Sequence, residues 1–151
     1  MASDVRTAAL RLLKIRPRSI LELTLKLSLK GYDKNEIDHL IVLLIKEKLL
    51  DDRAFADAWI RHRLSRPFGF VRIIRELKEK GIGTDTRVES VANAKAEYTE
   101  SDVVFELTKR KVLQLKDIPE VKRNKRILDQ LLRRGFSVEE AFKAIKRSRK
   151  M

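Results

Sequence analysis

Cysteine is absent from this chain, which removes disulfides, thiolate chemistry and every cysteine-based zinc site at once. Proline and glycine are scarce, 3 and 5 in 151 residues, which argues against a β-sandwich, a glycine-rich phosphate loop and a disordered linker. The two histidines, His39 and His62, fall in different segments, so they offer no paired ligand set. Long apolar runs are missing too. The strongest, residues 40–45, is far short of the roughly 20 residues a membrane span needs. Residues 1–14 lack the uncharged apolar centre of a signal peptide. These absences predict a soluble, cytoplasmic protein with no membrane partner.

Acidic residues are in deficit. Against 35 Lys and Arg stand 22 Asp and Glu, a formal charge of +13 and a pI near 10.2. The excess is uneven: residues 109–150 hold 15 basic and 5 acidic side chains, ten of the thirteen surplus charges. Such asymmetry points to a polyanionic partner. The length suits one compact domain or several small units in a row.

The most informative stretch is residues 49–82, LLDDRAFADAWIRHRLSRPFGFVRIIRELKEKGI. A helix opens at Asp51 or Asp52, whose carboxylate accepts from the first unpaired amides. Phe55, Ala58, Trp59 and His62 follow at helical spacing as one apolar stripe with a polar end, while Arg53, Asp57 and Arg61 make a charge ladder on another side. Pro67 ends the helix, Phe68-Gly69-Phe70 makes a corner, and Val71, Ile73, Ile74 and Leu77 start a second apolar stripe closed by Gly81. Arg72, Arg75 and Lys78 recur every three residues away from that stripe. The unit is helix, corner, helix, with a basic outer face.

This pattern recurs. Aligned on Gly31, Gly81 and Gly135, Leu23, Ile73 and Ile127 coincide, as do Leu27, Leu77 and Leu131. Lys30, Lys80 and Arg134 precede the glycines; Tyr32, Ile82 and Phe136 follow them. The copies lie 50 and 54 residues apart, within the range of helical arrays. The alignment also settles residues 19–30. Leu21, Leu23, Leu25, Leu27 and Leu29 alternate like a strand, but only in the first copy, whereas the helical stripe is common to all three. A helix is therefore expected, opened by a Ser19–Glu22 capping box, its additional leucines packed against a neighbour. After each glycine a further helix starts, from Asp33, Thr84 and Ser137, carrying Ile37, Leu40, Ile41 and Leu44; Val88, Val91 and Ala92; and Ala141, Phe142 and Ile145. The fold expected is all-α, nine helices in three tandem three-helix repeats, over 1–50, 51–97 and 98–151, forming an elongated, curved helical array.

Several sharper readings compete with plainer ones. Asp51 and Asp52 with Asp57 would suit a metal-dependent nuclease, but capping needs this placement and no further ligand completes a two-metal site. Trp59 offers a face for a nucleic-acid base, yet its place between Phe55 and His62 favours packing, and His62 reads as a packed or boundary residue. The residues after the glycines read as C-cap contacts, and the cations before them complement the helix dipole. No catalytic constellation appears.

Arg16-Pro17-Arg18-Ser19 with Glu22-Leu23 and Lys26-Leu27, then Leu50-Asp51-Asp52-Arg53-Ala54-Phe55-Ala56 with Trp59 and Arg63, then Gly69 with Arg72-Ile73, Glu76-Leu77 and Lys80-Gly81-Ile82, resemble the RecX family. The strong motifs cover residues 16–82, and Leu131 to Phe136 with Ala141 and Ile145 extends the likeness. Phe70-Val71 departs from the small or polar residues usual there, and residues 92–100 match no motif. The resemblance implies a non-enzymatic regulator without cofactor or metal, whose partner is the RecA–DNA filament. Members of that family lie along the filament, span neighbouring protomers in its groove, and usually suppress ATP hydrolysis, strand exchange and coprotease activity. The residues expected to contact filament or DNA, single- or double-stranded, are Arg72, Arg75 and Lys78 centrally and Arg126, Arg133, Arg134, Lys143, Lys146 and Arg147 in the third unit, with Arg16, Arg18, Arg61 and Arg63 secondary. A monomer is expected. The alternative is a stand-alone nucleic-acid-binding helical repeat.

Overall fold

A computed structural model describes residues 3–151. Among them are nine α-helices and no strand: α1 Val5–Ile15, α2 Ile20–Leu29, α3 Lys34–Lys46, α4 Asp52–Leu64, α5 Phe70–Glu79, α6 Thr84–Glu97, α7 Glu100–Gln114, α8 Glu120–Arg133 and α9 Val138–Ser148. No helix among the described residues is long and apolar enough to cross a membrane.

Short polar side chains start the helices by accepting from amides that have no partner inside the helix. Asp4 accepts from the Thr7 amide at 2.7 Å, Ser19 from Glu22 at 3.1 Å and Ser137 from Glu140 at 3.1 Å. The two adjacent aspartates divide their work. Asp51 caps α4, accepting from the amides of Arg53 and Ala54 at 2.9 and 3.1 Å. Asp52 turns away and accepts from the Ile20 amide at 2.8 Å, tying the start of α4 to the start of α2. Glu22 does not complete the expected capping box, because Arg16 and Lys80 hold its carboxylate.

All three glycines after the second helices close a Schellman turn. Tyr32, Ile82 and Phe136 donate to the carbonyls of Leu27, Leu77 and Leu131 at 3.3, 3.0 and 3.1 Å. The glycines have φ of 92, 78 and 92°, where an L side chain is strained. Gly81 and Gly135 have a second reason to be glycine. A Cβ on Gly81 would lie 2.6 Å from the Leu21 Cβ, and one on Gly135 would collide with the Arg72 Cβ and backbone. Gly31 has open space around it.

The chain divides into two compact units, one holding residues up to Trp59 with Leu77–Val88, the other Ile60–Glu76 with Glu89–Met151. The boundaries fall inside α4, α5 and α6, so the middle repeat contributes to both. In the first unit Ala8 and Ala9 of α1, Leu23 and Leu27 of α2, and Ile37, Leu40, Ile41 and Leu44 of α3 form one core. In the second, Val104, Ile127, Leu131, Phe136, Ala141, Ala144 and Ile145 form another. The repeat-equivalent triplets Leu23, Ile73, Ile127 and Leu27, Leu77, Leu131 are all buried.

The helix faces differ from expectation at their margins. In α4 the buried residues are Phe55, Ala56 and Ile60; Trp59 is half-buried and His62 exposed, so the inward stripe is rotated about one residue from the expected one. Trp59 instead lies stacked on Phe55, ring centroids 5.8 Å apart, with the Lys80 ammonium 5.2 Å from its centre. Val71, Ile74, Val88, Ala92 and Phe142 are exposed because the smaller arcs through Ile73 and Leu77, Ser90 and Val91, and Ala141, Ala144 and Ile145 face the cores. Leu21 lies against Gly81, but Leu25 and Leu29 are 53 and 87% exposed, short of the packing expected of them.

Candidate functional site

Basic side chains gather in three places, each set by a helix start or a helix face. In the first unit Pro17 halts α1, and the turn that follows brings Arg16 and Arg18 beside Glu22 in the first turn of α2. Arg16 Nη2 lies 2.5 Å and Arg18 Nη1 3.9 Å from Glu22 Oε2, with Lys80 Nζ 3.4 Å from Oε1. Burial acts to raise the Glu22 pKa, but the bonds and charges of Arg16 and Lys80 prevail and hold it below the ordinary range. Arg18 is only 7% exposed and also donates to the Leu12 carbonyl at 3.3 Å; burial pulls its pKa down, helped by the charge of Arg16. Three cations on one carboxylate leave a local excess of positive charge.

The second place is the corner before α5. Glu76, nearly buried, accepts from Arg63 Nε at 2.8 Å and from Arg72 Nε at 3.0 Å. Both guanidinium groups also face the Phe68 ring, 5.2 and 4.3 Å from its centroid, so the corner phenyl lies against two cations. The end of α8 docks on the same corner: the amides of Gly69 and Val71 donate to the carbonyls of Arg134 and Gly135 at 2.8 and 3.0 Å. Arg72 therefore holds local structure as well as charge. Arg75 and Lys78 are exposed on the outer side of α5, as is Arg61 on α4.

The third place is the outer side of α8 and α9. Lys122, Lys125, Arg126 and Arg133 are exposed on α8 at positions i, i+3, i+4 and i+11, opposite the buried Ile127 and Leu131, with Asp129 the acid among them. Helical rise spreads these four cations over about 17 Å. On α9, Lys143, Lys146 and Arg147, with Lys150 just beyond, repeat the pattern opposite Ala141, Ala144 and Ile145. Acids temper the α9 row. Lys143 lies 2.9 Å from Glu139, a hydrogen bond that raises the lysine pKa and lowers that of the glutamate. Arg147 sits 3.7 Å from Asp102 and 3.7 Å from the Phe105 ring centre. Arg134 is half-buried, its side chain reaching toward the Pro67 carbonyl.

Of the residues expected from the sequence, the structure joins Arg126 with Arg133, and Lys143 with Lys146 and Arg147, on two outer faces, and places Arg134 and Arg72 at the corner instead. Lys122 and Lys125 also belong to the α8 row, and their signal in the sequence is the helical spacing i, i+3, i+4, i+11 that they share with Arg126 and Arg133. Lys80 joins the Glu22 cluster, which no local pattern announced. Both carboxylates of the Asp51–Asp52 pair are engaged by amides, and among the described residues no group of three metal-binding side chains occurs.

Fold and charge together define a helical-repeat protein with basic outer faces. Family models agree in detail: residues 6–42 match the first three-helix domain of RecX, and residues 51–89 the second. A regulatory protein RecX from Pelodictyon phaeoclathratiforme is 32% identical over 96% of this chain and 89% of its own length. One from Halorhodospira halophila is 36% identical over a shorter span, 62% of this chain and 58% of that protein. The solved RecX of Lactobacillus salivarius superposes with a TM-score of 0.83 over 97% of this chain and 96% of that one, at 21% identity, which is a likeness of fold. The chain belongs to the RecX family, and the Pelodictyon and Halorhodospira relatives are named as regulatory proteins.

Proposed function

We propose that this protein regulates the recombinase RecA by binding the RecA–DNA filament, lowering its ATPase, strand-exchange and coprotease activities, and so acts in DNA repair, recombination and the SOS response. Membership of a family of regulators supports the regulatory half of this reading. The observation that carries the filament half is the pair of outward cationic rows on α8 and α9, which suit a surface rich in phosphate and carboxylate. Arg75 and Lys78 add charge on α5, and Arg72 fixes the corner beside them. The working unit in this reading is a cytoplasmic monomer of three repeats, spanning 1–50, 51–97 and 98–151, with no cofactor.

The deciding experiment titrates this protein into the DNA-dependent ATPase of RecA from the same organism, with binding to naked single-stranded DNA measured in the same buffer. Inhibition well below one protein per recombinase, with weak binding to naked DNA, is the expected result. Inhibition only at ratios that coat the DNA would replace this reading with direct nucleic-acid binding. The α8 row favours that second reading to one extent: four exposed cations on one helix face would engage phosphates of either strand form, with affinity falling steeply in salt.

A further inference from the structure

Helix α2 is apolar on two opposite sides. Leu23 and Leu27 fill the first-unit core, both fully buried, and Leu21, Leu25 and Leu29 lie at four-residue steps on the side directly away from it. A helix apolar all round is normally buried all round. Here Leu21 lies against Gly81 and is still 40% exposed, while Leu25 and Leu29 stand 53 and 87% exposed. The corresponding rows of the other repeats are not leucine: Val71, Arg75 and Glu79 on α5, and Lys125, Asp129 and Arg133 on α8. Helix α3, packed on α2, adds Val42 on its own outward side at 65% exposure. Repeat architecture alone therefore does not call for these leucines.

The charges beside the row say what would cover it. Lys26 and Lys30 flank the row on one side, about 100 and 140° round α2 from its centre, both exposed and in none of the ion pairs found among the described residues. A second copy of this chain would bring the same lysines, and a net charge of +13, against themselves. A nucleic acid would satisfy the lysines but gain nothing from leucines, which offer neither a ring to stack on nor a donor. An acidic amphipathic helix meets both demands, with apolar anchors at helical spacing for the leucines and carboxylates for the lysines. We propose that the outer row of α2, centred on Leu25 and Leu29, is a docking site for an acidic amphipathic segment of a partner protein. This site is separate from the basic rows of α8 and α9 and does not depend on the RecA reading.

The test uses the full chain and a fluorescein-labelled synthetic helix bearing leucine on one face and glutamate on the other, followed by anisotropy. A matching helix with lysine for glutamate is the control. Binding of the acidic helix is expected, with none of the basic one. Leu25→Ser with Leu29→Ser should weaken it on the order of 10- to 30-fold, the loss for two half-covered leucines, while the chain stays folded at the assay temperature by circular dichroism. Lys26→Glu with Lys30→Glu should reverse the preference toward the basic helix. Binding that survives the serine pair would overturn the proposal. So would two other results: a dimer in sedimentation that the serine pair dissolves, or capture by phosphatidylglycerol vesicles without capture of the acidic helix.

Discussion

Replacing Gly135 by alanine should destabilise the protein far more than the same change at Gly31, although both glycines have φ of 92° and close equivalent turns. The left-handed backbone accounts for about 1–2 kcal/mol at either position. At Gly31 the new methyl enters open space, so that is the whole effect. At Gly135 the methyl would meet the Arg72 amide nitrogen at 2.7 Å and Cα at 2.9 Å, atoms that cannot rotate aside. Relief requires the end of α8 to back away from the corner, stretching the bonds from Gly69 and Val71 that now measure 2.8 and 3.0 Å. Overpacking of this kind adds about 1–3 kcal/mol and a weakened hydrogen bond roughly 1 more, placing Gly135→Ala near 4 kcal/mol. Gly81→Ala should fall between, since its methyl meets the Leu21 side chain, with Cβ at 2.6 Å and Cδ2 at 2.8 Å, rather than main chain.

Urea unfolding of the three variants by far-ultraviolet circular dichroism orders them directly. At this chain length each kcal/mol moves the thermal midpoint by about 2–4 °C, so the expected gap between Gly31→Ala and Gly135→Ala is easily resolved. Equal losses at the two sites would mean that backbone conformation explains everything and the close approach explains nothing. A mild Gly135→Ala would refute the docking of the α8 turn on the corner of α5.

Three further outcomes follow from the local geometry. Lys48, two residues past the end of α3, has φ of 61°, and Lys48→Gly should raise the urea midpoint, worth about 0.5–1 kcal/mol, because glycine meets no Cβ penalty there. Glu76→Gln should lower stability by about 1–2 kcal/mol, a figure reduced because Arg63 and Arg72 are partly exposed; an unchanged midpoint would show the two arginines to be held by packing alone. Glu100 has its pKa raised by burial first and by Glu140 second, against the opposing charge of Lys95 and a bond from the Phe70 amide. An acid with a raised folded pKa binds more protons folded than unfolded, so its contribution is present at low pH and lost as pH rises through the folded value. Glu100→Gln should accordingly flatten the fall in stability above the ordinary glutamate range, measured as urea midpoints across pH.

Much of the frame was open to reading in the chain because it rests on local chemistry. The glycine register, the caps at Ser19, Asp33 and Ser137 and the inner triplets all depend on residues within one turn of each other. What could not be read depends on contacts distant in sequence. Asp51 and Asp52 are interchangeable as caps until the Ile20 amide, 32 residues away, claims one of them. Glu76 looks like one acid in a basic helix until Arg63 arrives across the corner. Trp59 was expected in the core by its spacing, but Ile60 occupies the inward position and leaves the indole at the margin beneath Lys80. The candidate site was legible as charge and spacing on α8 and α9, while the paired state of Lys143 and the structural engagement of Arg72 and Arg134 needed the packing.

The three second helices share an inner row and differ in their outer one, and this division yields a clean separation of roles. Ile127 and Leu131 of α8 are 1 and 3% exposed, as deep as their counterparts in α2 and α5. Truncating either to alanine should cost about 2–5 kcal/mol through forfeited transfer energy and the cavity left behind. Lys122, Lys125, Arg126 and Arg133 stand opposite, in solvent, and changing all four to alanine removes four charges from a helix that does not use them to fold. Alanine is the stronger helix former, so that variant should unfold at an equal or higher urea concentration. Its affinity for single-stranded DNA should drop, and the slope of log affinity against log salt should become shallower by about 0.7 for each phosphate it no longer neutralises. A four-alanine variant that unfolds early would make the outer row structural. One that keeps both its stability and its salt slope would move the anion-binding surface off α8 altogether.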